Sequence, residues 1–222
     1  MNSERTGLER RVAWHAALAD TARLRIVDLL ALGDRSPGEL RSDLGIASNL
    51  LAHHLGVLDA EGIIARTRSE GDRRRNYVRL ADHTAVGTGT GLVLQAERVV
   101  FVCTGNSARS PLAAAIWASL SRIPATSAGT IPAERTSKAA VTTATRHGLD
   151  LTRHTPRPLA DVRRAGDLVV TVCDRAHETL GTVGALHWSV PNPGLIGGQH
   201  AYEAAFAELD RRVHALTPRV AA

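Results

Sequence analysis

The chain lacks several features that would define its class at once. Its 222 residues include only two cysteines, Cys103 and Cys173. Two cysteines do not make a disulfide framework, so each is expected to be a free thiol in a reducing cytoplasm. No stretch approaches the roughly 20 apolar residues of a transmembrane helix, and the opening MNSERTGLERR has no apolar core like that of a signal peptide. We therefore expect a cytoplasmic protein with no membrane partner.

Lysine is almost absent, because Lys138 is the only one among 27 basic residues, and the formal net charge is +5. This modest charge permits nucleic-acid binding without requiring it. The distribution of the charge along the chain therefore decides whether such binding is expected. The basic side chains of the first half are concentrated in residues 66–79, where Glu70 and Asp72 oppose six arginines: Arg66, Arg68, Arg73, Arg74, Arg75 and Arg79. The rest of residues 1–95 carries more acidic than basic side chains.

Residues up to about 80 predict short helices followed by a hairpin. Apolar residues recur at helical spacing over residues 8–19 and 21–32. Ser36, Pro37 and Glu39 form a capping-box pattern that starts a third, short helix. Ser48 is expected to cap a fourth helix.

The segments IIARTRS and NYVRLA predict two strands, joined by the charged turn EGDRRR. Helices with a tight turn before the last one, followed by a basic hairpin, are typical of a winged helix-turn-helix. The recognition helix would span residues 48–60. We expect its first turn and exposed face to enter the major groove and the hairpin arginines to lie along phosphates. The expected DNA-binding residues are Ser48, Asn49, Ala52, His53, Arg66, Arg68, Arg73, Arg74 and Arg75.

This half resembles the ArsR family of bacterial repressors. The resemblance covers about residues 12–80 and is carried by ALADTARLRIVDLLALGDRSPGEL and SNLLAHHLGVLDAEGIIARTRSEGDRRRNYVRL. It implies a homodimer that binds double-stranded operator DNA. Many members sense metals through cysteines, but this half has none. Because the adjacent His53 and His54 point to different faces, we expect no metal site.

From residue 98 onward strands and helices alternate. Strands are predicted in RVVFV, ATSAG and DLVVTVC, and helices in PLAAAIWASL, SKAAVTTATRHG and HAYEAAFAELDRRVHAL. This alternation predicts a parallel sheet with helices on both faces. The expected fold is thus an α+β winged helix-turn-helix over residues 1–82, a linker over 83–97 with a short helix at its end, and an α/β domain over 98–222.

The stretch VVFVCTGNSARSP at 99–111 predicts an anion site. Cys103 stands where an apolar strand ends and a helix follows, the edge at which open α/β sheets bind ligands. Backbone N–H groups there can curl around an anion at the positive end of the helix, and Gly105 permits the curl. The expected anion-binding residues are Thr104, Gly105, Asn106, Ser107, Ala108 and Arg109.

Side chains in this stretch suit nucleophilic chemistry. The Arg109 guanidinium can bond two oxygens of a tetrahedral oxyanion. We expect the same positive field to lower the pKa of Cys103, and Ser110 can donate a hydrogen bond to the thiolate. Asn106 can brace the loop. A thiolate below a bound oxyanion can attack its phosphorus or arsenic in line.

Residues 98–216 resemble the low-molecular-weight protein tyrosine phosphatase fold and, within it, the arsenate reductase branch. The resemblance is carried by VVFVCTGNSARSPLAAA, SAGT at 127–130, AGDLVVTVCDRAHE and HWSVPNP. It implies an arsenate or phosphate oxyanion as the ligand. It also implies catalysis by Cys103, Arg109, Ser110 and Cys173, with no tightly bound cofactor.

One departure from this family concerns proton transfer. The family places an Asp-Pro over the pocket, and its carboxylic acid protonates the leaving group. Asn192 precedes Pro193 here, and an amide cannot serve as that acid. General acid catalysis contributes about 10²–10⁴-fold, so we expect phosphomonoester hydrolysis to be slow or absent, with Asp174 and His187 as conceivable substitutes.

A second departure concerns thiols. Thioredoxin-linked arsenate reductases pass oxidation along three cysteines. Cys103 and Cys173 match the first two, whereas Leu180 stands at the third position. Reduction would then need a small external thiol or would stop at a Cys103–Cys173 disulfide. Because Cys173 ends an apolar strand, a packed core thiol is an equal alternative.

The sequence therefore predicts an ArsR-type DNA-binding regulator fused to an oxyanion-binding domain. The enzyme hypothesis is that this domain still turns over arsenate or an aryl phosphate through Cys103. The sensor hypothesis is that it retains the anion site, has lost the acid and controls DNA binding.

Overall fold

The computed structural model describes residues 7–81 and 93–222, which form two compact units. Within the described residues, the first unit takes 7–68 and 74–81, and the second takes 69–73 and 93–222. None of the helices described has the length and apolar character that crossing a membrane requires.

The first unit contains four helices and an antiparallel hairpin. Its elements are α1 (Gly7–Leu18), α2 (Thr21–Leu32), α3 (Pro37–Leu44), α4 (Ser48–Ala60), β1 (Ile64–Arg68) and β2 (Asn76–Leu80). Ile64 pairs with Leu80 and Arg68 with Asn76. The helices and the hairpin that the sequence predicts are confirmed.

Apolar side chains at helical spacing converge to form the core of this unit. Ile26 and Leu30 of α2, Leu40 of α3 and Leu58 of α4 are each fully buried, together with Val78 of β2. The buried stripe of α4 leaves its opposite face to solvent, as expected for an amphipathic helix.

Helix caps agree with the sequence at α3 and differ at α4. Ser36 Oγ accepts from the Glu39 N–H at 3.3 Å, and Glu39 Oε2 accepts from the Ser36 N–H at 2.6 Å, which completes the capping box. The prediction that Ser48 caps α4 is wrong. Ala47 is the N-cap without a side-chain hydrogen bond, and Ser48 Oγ accepts from Arg41 at 3.3 Å instead.

The second unit alternates strands and helices. Its elements are β3 (Leu94–Gln95), β4 (Arg98–Cys103), α5 (Arg109–Leu120), β5 (Ala125–Gly129), α6 (Lys138–Arg146), α7 (Leu159–Val162), β6 (Asp167–Thr171), α8 (Asp174–Leu180), β7 (Leu186–His187), α9 (Pro193–Ile196), α10 (Gly198–Leu216) and β8 (Val220–Ala221). Short 3-10 turns cover Gly181–Val183 and Thr217–Arg219.

Four of these strands form the predicted parallel sheet, in the order β5-β4-β6-β7. Phe101 at the centre of β4 is fully buried, with its ring centroid 6.0 Å from that of Trp117 and 5.7 Å from that of Trp188. Arg98 and Asp167 are the first residues of β4 and β6, and the Arg98 guanidinium donates hydrogen bonds of 2.8 and 2.7 Å to the Asp167 carboxylate. The parallel arrangement brings the carboxyl ends of β4, β5 and β6 to one edge.

The predicted linker over 83–97 lies largely outside the described residues. The short helix expected at its end is not what the structure has, because Leu94–Gln95 forms β3. This strand pairs in parallel with β8, and Leu94 lies opposite Val220. The pairing partner is more than a hundred positions away along the chain, so local sequence could not reveal it.

We expect Ser36→Ala to loosen α3, because it removes the hydroxyl that accepts from the Glu39 N–H and leaves only the backbone half of the capping box, from the Ser36 N–H to Glu39 Oε2. Loss of an N-cap costs about 1 kcal/mol, which corresponds to an opening equilibrium constant, and hence an exchange rate, about fivefold larger. Hydrogen-exchange mass spectrometry of peptides covering residues 37–45 measures this without a contribution from the second unit. Ser42→Ala is the control, since Ser42 is exposed within α3. Unchanged exchange in Ser36→Ala would contradict the stabilising role of the cap.

Candidate active site

The loop between β4 and α5 lies at the carboxyl edge of the sheet. Cys103 ends β4 opposite Gly129 of β5 and is only 3 % exposed. A cavity of about 270 Å³ opens at this loop. Most of the predicted site residues line it: Cys103, Thr104, Gly105, Ser107, Ala108, Arg109 and Cys173. Asn106 and Ser110 are fully buried and do not line the cavity.

Four carbonyls of the loop turn toward one neighbouring segment. Those of Cys103, Thr104, Gly105 and Ser107 accept hydrogen bonds of 2.8–3.1 Å from backbone N–H groups within residues 130–137. At Gly129, just before this segment, a Cβ would lie 2.7 Å from the Thr104 carbonyl oxygen, so the close approach requires glycine.

This arrangement fixes where the loop amides point. No peptide bond is cis in the described parts of the chain. In a trans peptide the N–H of the next residue points opposite to the carbonyl. The N–H groups of Thr104, Gly105, Asn106 and Ala108 therefore face away from the 130–137 segment. The Asn106 N–H donates to Cys103 Sγ at 3.2 Å, as this geometry requires.

The side chain of Asn106 braces the loop through hydrogen bonds to three other residues. Its φ of 48° is left-handed, a conformation that asparagine tolerates better than most residues. Its Nδ2 donates to Ser110 Oγ at 3.0 Å and to Ser127 Oγ at 2.9 Å, and its Oδ1 accepts from the Arg157 N–H at 2.9 Å. The sequence places Asn106 among the anion-binding residues and also predicts that its side chain braces the loop. In the structure its amide is directed to Cys103 Sγ and its side chain braces the loop.

Two groups that can donate a hydrogen bond approach the Cys103 sulfur. The Asn106 N–H lies at 3.2 Å, and Ser110 Oγ lies at 3.1 Å. Both hydrogen bonds can stabilise negative charge on Sγ. Cys103 is also close to the N-terminus of the twelve-residue helix α5, where the helix dipole favours an anion.

Arg109, the first residue of α5, is 7 % exposed and lines the cavity. Its Nη1 donates to the Val190 carbonyl at 2.8 Å. Holding one nitrogen in this way fixes the plane of the guanidinium. The side chain is therefore oriented before any ligand arrives.

Cys173 lies in the wall of the same cavity, at the N-cap of α8. Its Sγ is 3.4 Å from Thr104 Oγ1 and accepts from the Ala176 N–H at 3.4 Å. Burial raises the pKa of the Cys173 thiol, against a smaller lowering effect of Arg109. Both cysteines are free thiols in the structure.

Asp174 also lines the cavity and is tied to a buried histidine. Its Oδ1 lies 3.1 Å from His187 Nε2, and His187 Nδ1 lies 3.0 Å from Thr171 Oγ1. Burial would raise the pKa of Asp174. Hydrogen bonds from His187, the Glu70 N–H and Ser189 outweigh burial and hold it below its usual value. Asp174 therefore favours the ionised form, which does not suit a proton donor.

His187 and Asn192, two residues discussed for proton transfer, have structural partners. His187 is fully buried and stacks on His177, with ring centroids 4.1 Å apart. Asn192 lines the cavity, and its Oδ1 caps the short helix α9 by accepting from the Gly194 N–H at 3.1 Å.

Glu70 is a cavity residue that sequence reasoning missed. It belongs to the segment Ser69–Arg73, which is part of the second unit. Its carboxylate accepts from the Asn192 N–H. The one available signal was that Glu70 interrupts an arginine-rich turn, but nothing local links positions 70 and 192.

The predicted recognition helix presents its candidate DNA-binding residues together. Ser48, Asn49, Ala52 and His53 of α4 are all exposed. His54, next in the chain, is buried and lies 3.7 Å from Asp20. The two histidines thus face different sides, as the sequence indicates.

The arginines of the hairpin do not all group with that helix. Arg66 and Arg68 on β1 and Arg74 and Arg75 before β2 are exposed residues of the first unit. Arg73 is exposed as well, but it lies in the segment that belongs to the second unit.

Both halves of the chain match family models. Residues 98–222 match that of the low molecular weight phosphotyrosine protein phosphatases, and residues 20–66 match that of the bacterial regulatory proteins of the arsR family. The chain is similar to Rv0081 of Mycobacterium tuberculosis, an uncharacterized HTH-type transcriptional regulator, with 50 % identity over 52 residues. This match covers 23 % of the chain and 46 % of that protein, so the chain spans about half of that relative.

Solved structures resemble about half of the chain. An arsenate reductase from Archaeoglobus fulgidus has 29 % sequence identity and a TM-score of 0.46, over 54 % of this chain and 98 % of that one. The tyrosine phosphatase Wzb from Escherichia coli K30 has 18 % identity and a TM-score of 0.50, over 55 % of this chain and 97 % of that one. The likeness to Wzb concerns the fold alone.

The lowered pKa of Asp174 gives a testable pH dependence. A carboxyl whose pKa is lower in the folded state adds stability above its ordinary value of 3.8, and this stability is lost as the pH falls through the folded pKa. We expect Asp174→Asn to destabilise the second unit by about 1–3 kcal/mol at pH 7 and to reduce the loss of stability as the pH falls from about 5 toward 1.

The measurement is denaturant unfolding followed by tryptophan fluorescence in a Trp14→Phe background. Trp117 and Trp188, both in the second unit, then report the transition. Asp161→Asn is the control, because Asp161 is an exposed carboxylate of the same unit. An equal acid sensitivity of Asp174→Asn and the parent would show that the Asp174 contacts do not contribute.

Proposed function

The chain belongs to the low molecular weight phosphotyrosine protein phosphatase family over residues 98–222, and we propose that its second unit binds arsenate or a phosphate group and attacks it with the Cys103 thiolate. One observation carries the proposal. Four loop carbonyls are bonded to residues 130–137, which do not line the cavity, and this leaves amides, Arg109 and the N-terminus of α5 around a buried sulfur. The fused first unit is an ArsR-type helix-turn-helix regulator.

For a phosphate ester, the Cys103 thiolate forms a bond to phosphorus while the bond to the leaving oxygen breaks. The loop amides and the Arg109 guanidinium stabilise the charge on the equatorial oxygens. Water then attacks the phosphocysteine, the phosphorus–sulfur bond breaks, and inorganic phosphate and the thiolate are released. Ser110 and Asn106 stabilise the sulfur as a leaving group through the two hydrogen bonds described above.

For arsenate, the Cys103 thiolate displaces water and forms an arsenic–sulfur bond. The Cys173 thiolate can then attack Cys103 Sγ. The electron pair of the arsenic–sulfur bond passes to arsenic, so arsenic(V) becomes arsenic(III) and a disulfide forms. An external thiol must reduce that disulfide. Burial keeps Cys173 protonated, which supports the alternative that it is a packed core thiol and that the external thiol acts on the adduct directly.

A sensor is the second candidate function, and the state of the polar side chains favours it. Asn192 cannot donate a proton, and the contacts of Asp174 keep it ionised. A domain with these features can bind an oxyanion without turnover and report it to the fused regulator. Such coupling requires the anion to bind free and DNA-bound protein with different affinities.

The first unit is proposed to bind double-stranded operator DNA as a homodimer in the cytoplasm. The exposed face of α4 would read bases in the major groove, and the exposed arginines beside it would contact phosphates. No tightly bound cofactor or metal is part of this proposal.

Substitutions at the loop separate the enzyme from the sensor. We expect the parent to release p-nitrophenol steadily from its phosphate and Cys103→Ser to release none. Arg109→Ala should weaken arsenate binding by about tenfold or more, since a hydrogen bond to a charged group contributes about 1.5–3 kcal/mol. Activity is followed by absorbance and binding by calorimetry.

Cys173→Ser is the matched control, because it changes the other cysteine of the cavity. It should keep phosphate ester hydrolysis and lose arsenite formation if a disulfide is part of the reaction. Turnover that survives in Cys103→Ser would contradict the nucleophile. Absence of turnover in the parent, with arsenate-dependent release of DNA, would favour the sensor.

Arg74→Ala and Arg75→Ala should each weaken DNA binding similarly across sequences. Each lost phosphate contact should reduce the salt dependence of log K by about one unit of slope. The measurement uses fluorescence anisotropy at several salt concentrations, with DNA that the full chain selects from a random pool. Arg25→Ala, an exposed arginine of α2, is the control. Unchanged affinity and slope in both variants would rule out the hairpin as a phosphate contact.

A further inference from the structure

The segment Ser69–Arg73 is part of the second unit although it follows β1 in the chain. Ser69 Oγ donates to Glu178 Oε1 at 2.6 Å, and the Asp72 N–H donates to Glu178 Oε2 at 2.7 Å. The Glu70 N–H donates to Asp174 Oδ2 at 2.8 Å. These hydrogen bonds hold both sides of Glu70 against α8.

Glycine at position 71 permits this close approach. A Cβ there would lie 3.2 Å from the Arg175 Cα and closer still to the Glu178 carboxylate. The contact with the Arg175 backbone cannot be relieved by a side-chain rotation. Gly71 therefore lets the chain lie directly on α8 and brings Glu70 to the cavity.

The Glu70 side chain reaches the position where the general acid is missing. The Asn192 N–H donates to Oε2 at 2.9 Å and to Oε1 at 3.1 Å. Oε2 is 3.8 Å from Arg109 Nη1, and Glu70 shares the cavity with Cys103. A carboxyl group thus stands beside Asn192, whose own side chain is an amide.

We propose that Glu70 is the general acid of this active site, in place of the carboxyl group that Asn192 lacks. This inference rests on the proposed phosphatase function. As the Cys103 thiolate attacks phosphorus, the carboxyl of Glu70 gives its proton to the leaving oxygen, and the product leaves as a neutral alcohol or phenol. The resulting carboxylate then takes a proton from the water that hydrolyses the phosphocysteine.

Elimination among the cavity residues supports this role. Glu70 and Asp174 are the carboxylic acids among the residues that line the cavity. Asp174 is held in the ionised form by three hydrogen bonds. Glu70 is the more exposed of the two, since its side chain is 36 % exposed and that of Asp174 is 3 % exposed.

The position of the Glu70 carboxylate also argues against its acting as an anion that competes with the substrate for Arg109. Both carboxylate oxygens accept from Asn192 at hydrogen-bond distance, whereas the approach to Arg109 is 3.8 Å. Glu70 is therefore anchored at the side of the cavity. It does not take up the hydrogen bonds of the Arg109 guanidinium that an oxyanion needs.

Glu70→Gln tests the proposal, since glutamine keeps the shape and removes the transferable proton. Phenyl phosphate needs protonation of its leaving oxygen, whereas 2,4-dinitrophenyl phosphate releases a stable anion. We expect kcat for phenyl phosphate to fall by about 10²-fold or more and kcat for the dinitrophenyl ester to change by less than about threefold. Glu70→Asp should restore part of the activity on phenyl phosphate.

Asp72→Asn is the matched control, because it removes a carboxylate of the same segment that does not line the cavity. It should leave both rates unchanged. Calorimetry with inorganic phosphate checks that Glu70→Gln retains the anion site. The basic limb of the pH profile of kcat for phenyl phosphate should disappear in that variant.

Each other outcome overturns the assignment. Equal effects of Glu70→Gln on both esters would exclude proton donation by Glu70. Faster hydrolysis of both esters, with tighter phosphate binding, would instead identify Glu70 as a competitor of the substrate. If the parent hydrolyses neither ester, the proposed phosphatase function fails together with this inference. If it hydrolyses both, a failure concerns Glu70 alone.

Discussion

The orientation of a few peptide planes underlies the whole candidate site. Because the carbonyls of Cys103, Thr104, Gly105 and Ser107 are bonded to the segment 130–137, the following amides have only the other side to face. The cavity is thus lined with donors by the backbone itself. Hydrogen bonds made during folding hold this arrangement, so the anion binding proposed above would need little reorganisation.

Two carboxyl groups share this donor-rich cavity in different environments. Asp174 is buried, bonded to His187 and held ionised. Glu70 is partly exposed and held through the Asn192 backbone. Environments that differ in this way assign different roles to chemically similar side chains. Asn192 itself is a helix cap and a backbone donor, and under the proposal above Glu70 supplies the carboxyl group beside it.

Local patterns in the sequence account for most of the fold and for the loop at Cys103. Apolar periodicity, the Ser36–Glu39 capping box and the strand before Cys103 are short-range signals, and the structure has the corresponding elements. Ser48 shows the limit even of local rules, because Ala47 takes the cap position. The β3–β8 pair, the bond of Arg109 to Val190 and the position of Glu70 depend on residues that folding brings together from distant parts of the chain. No local pattern encodes them.

The membership of Ser69–Arg73 in the second unit has a consequence for how such a fusion can evolve. Simple gene fusions join modules that recombination can later exchange at the junction. Here a cut near residue 90 would deliver a phosphatase-like module without the turn that carries Glu70. Exchange at that junction would therefore separate Glu70 from the cavity residues of its own unit.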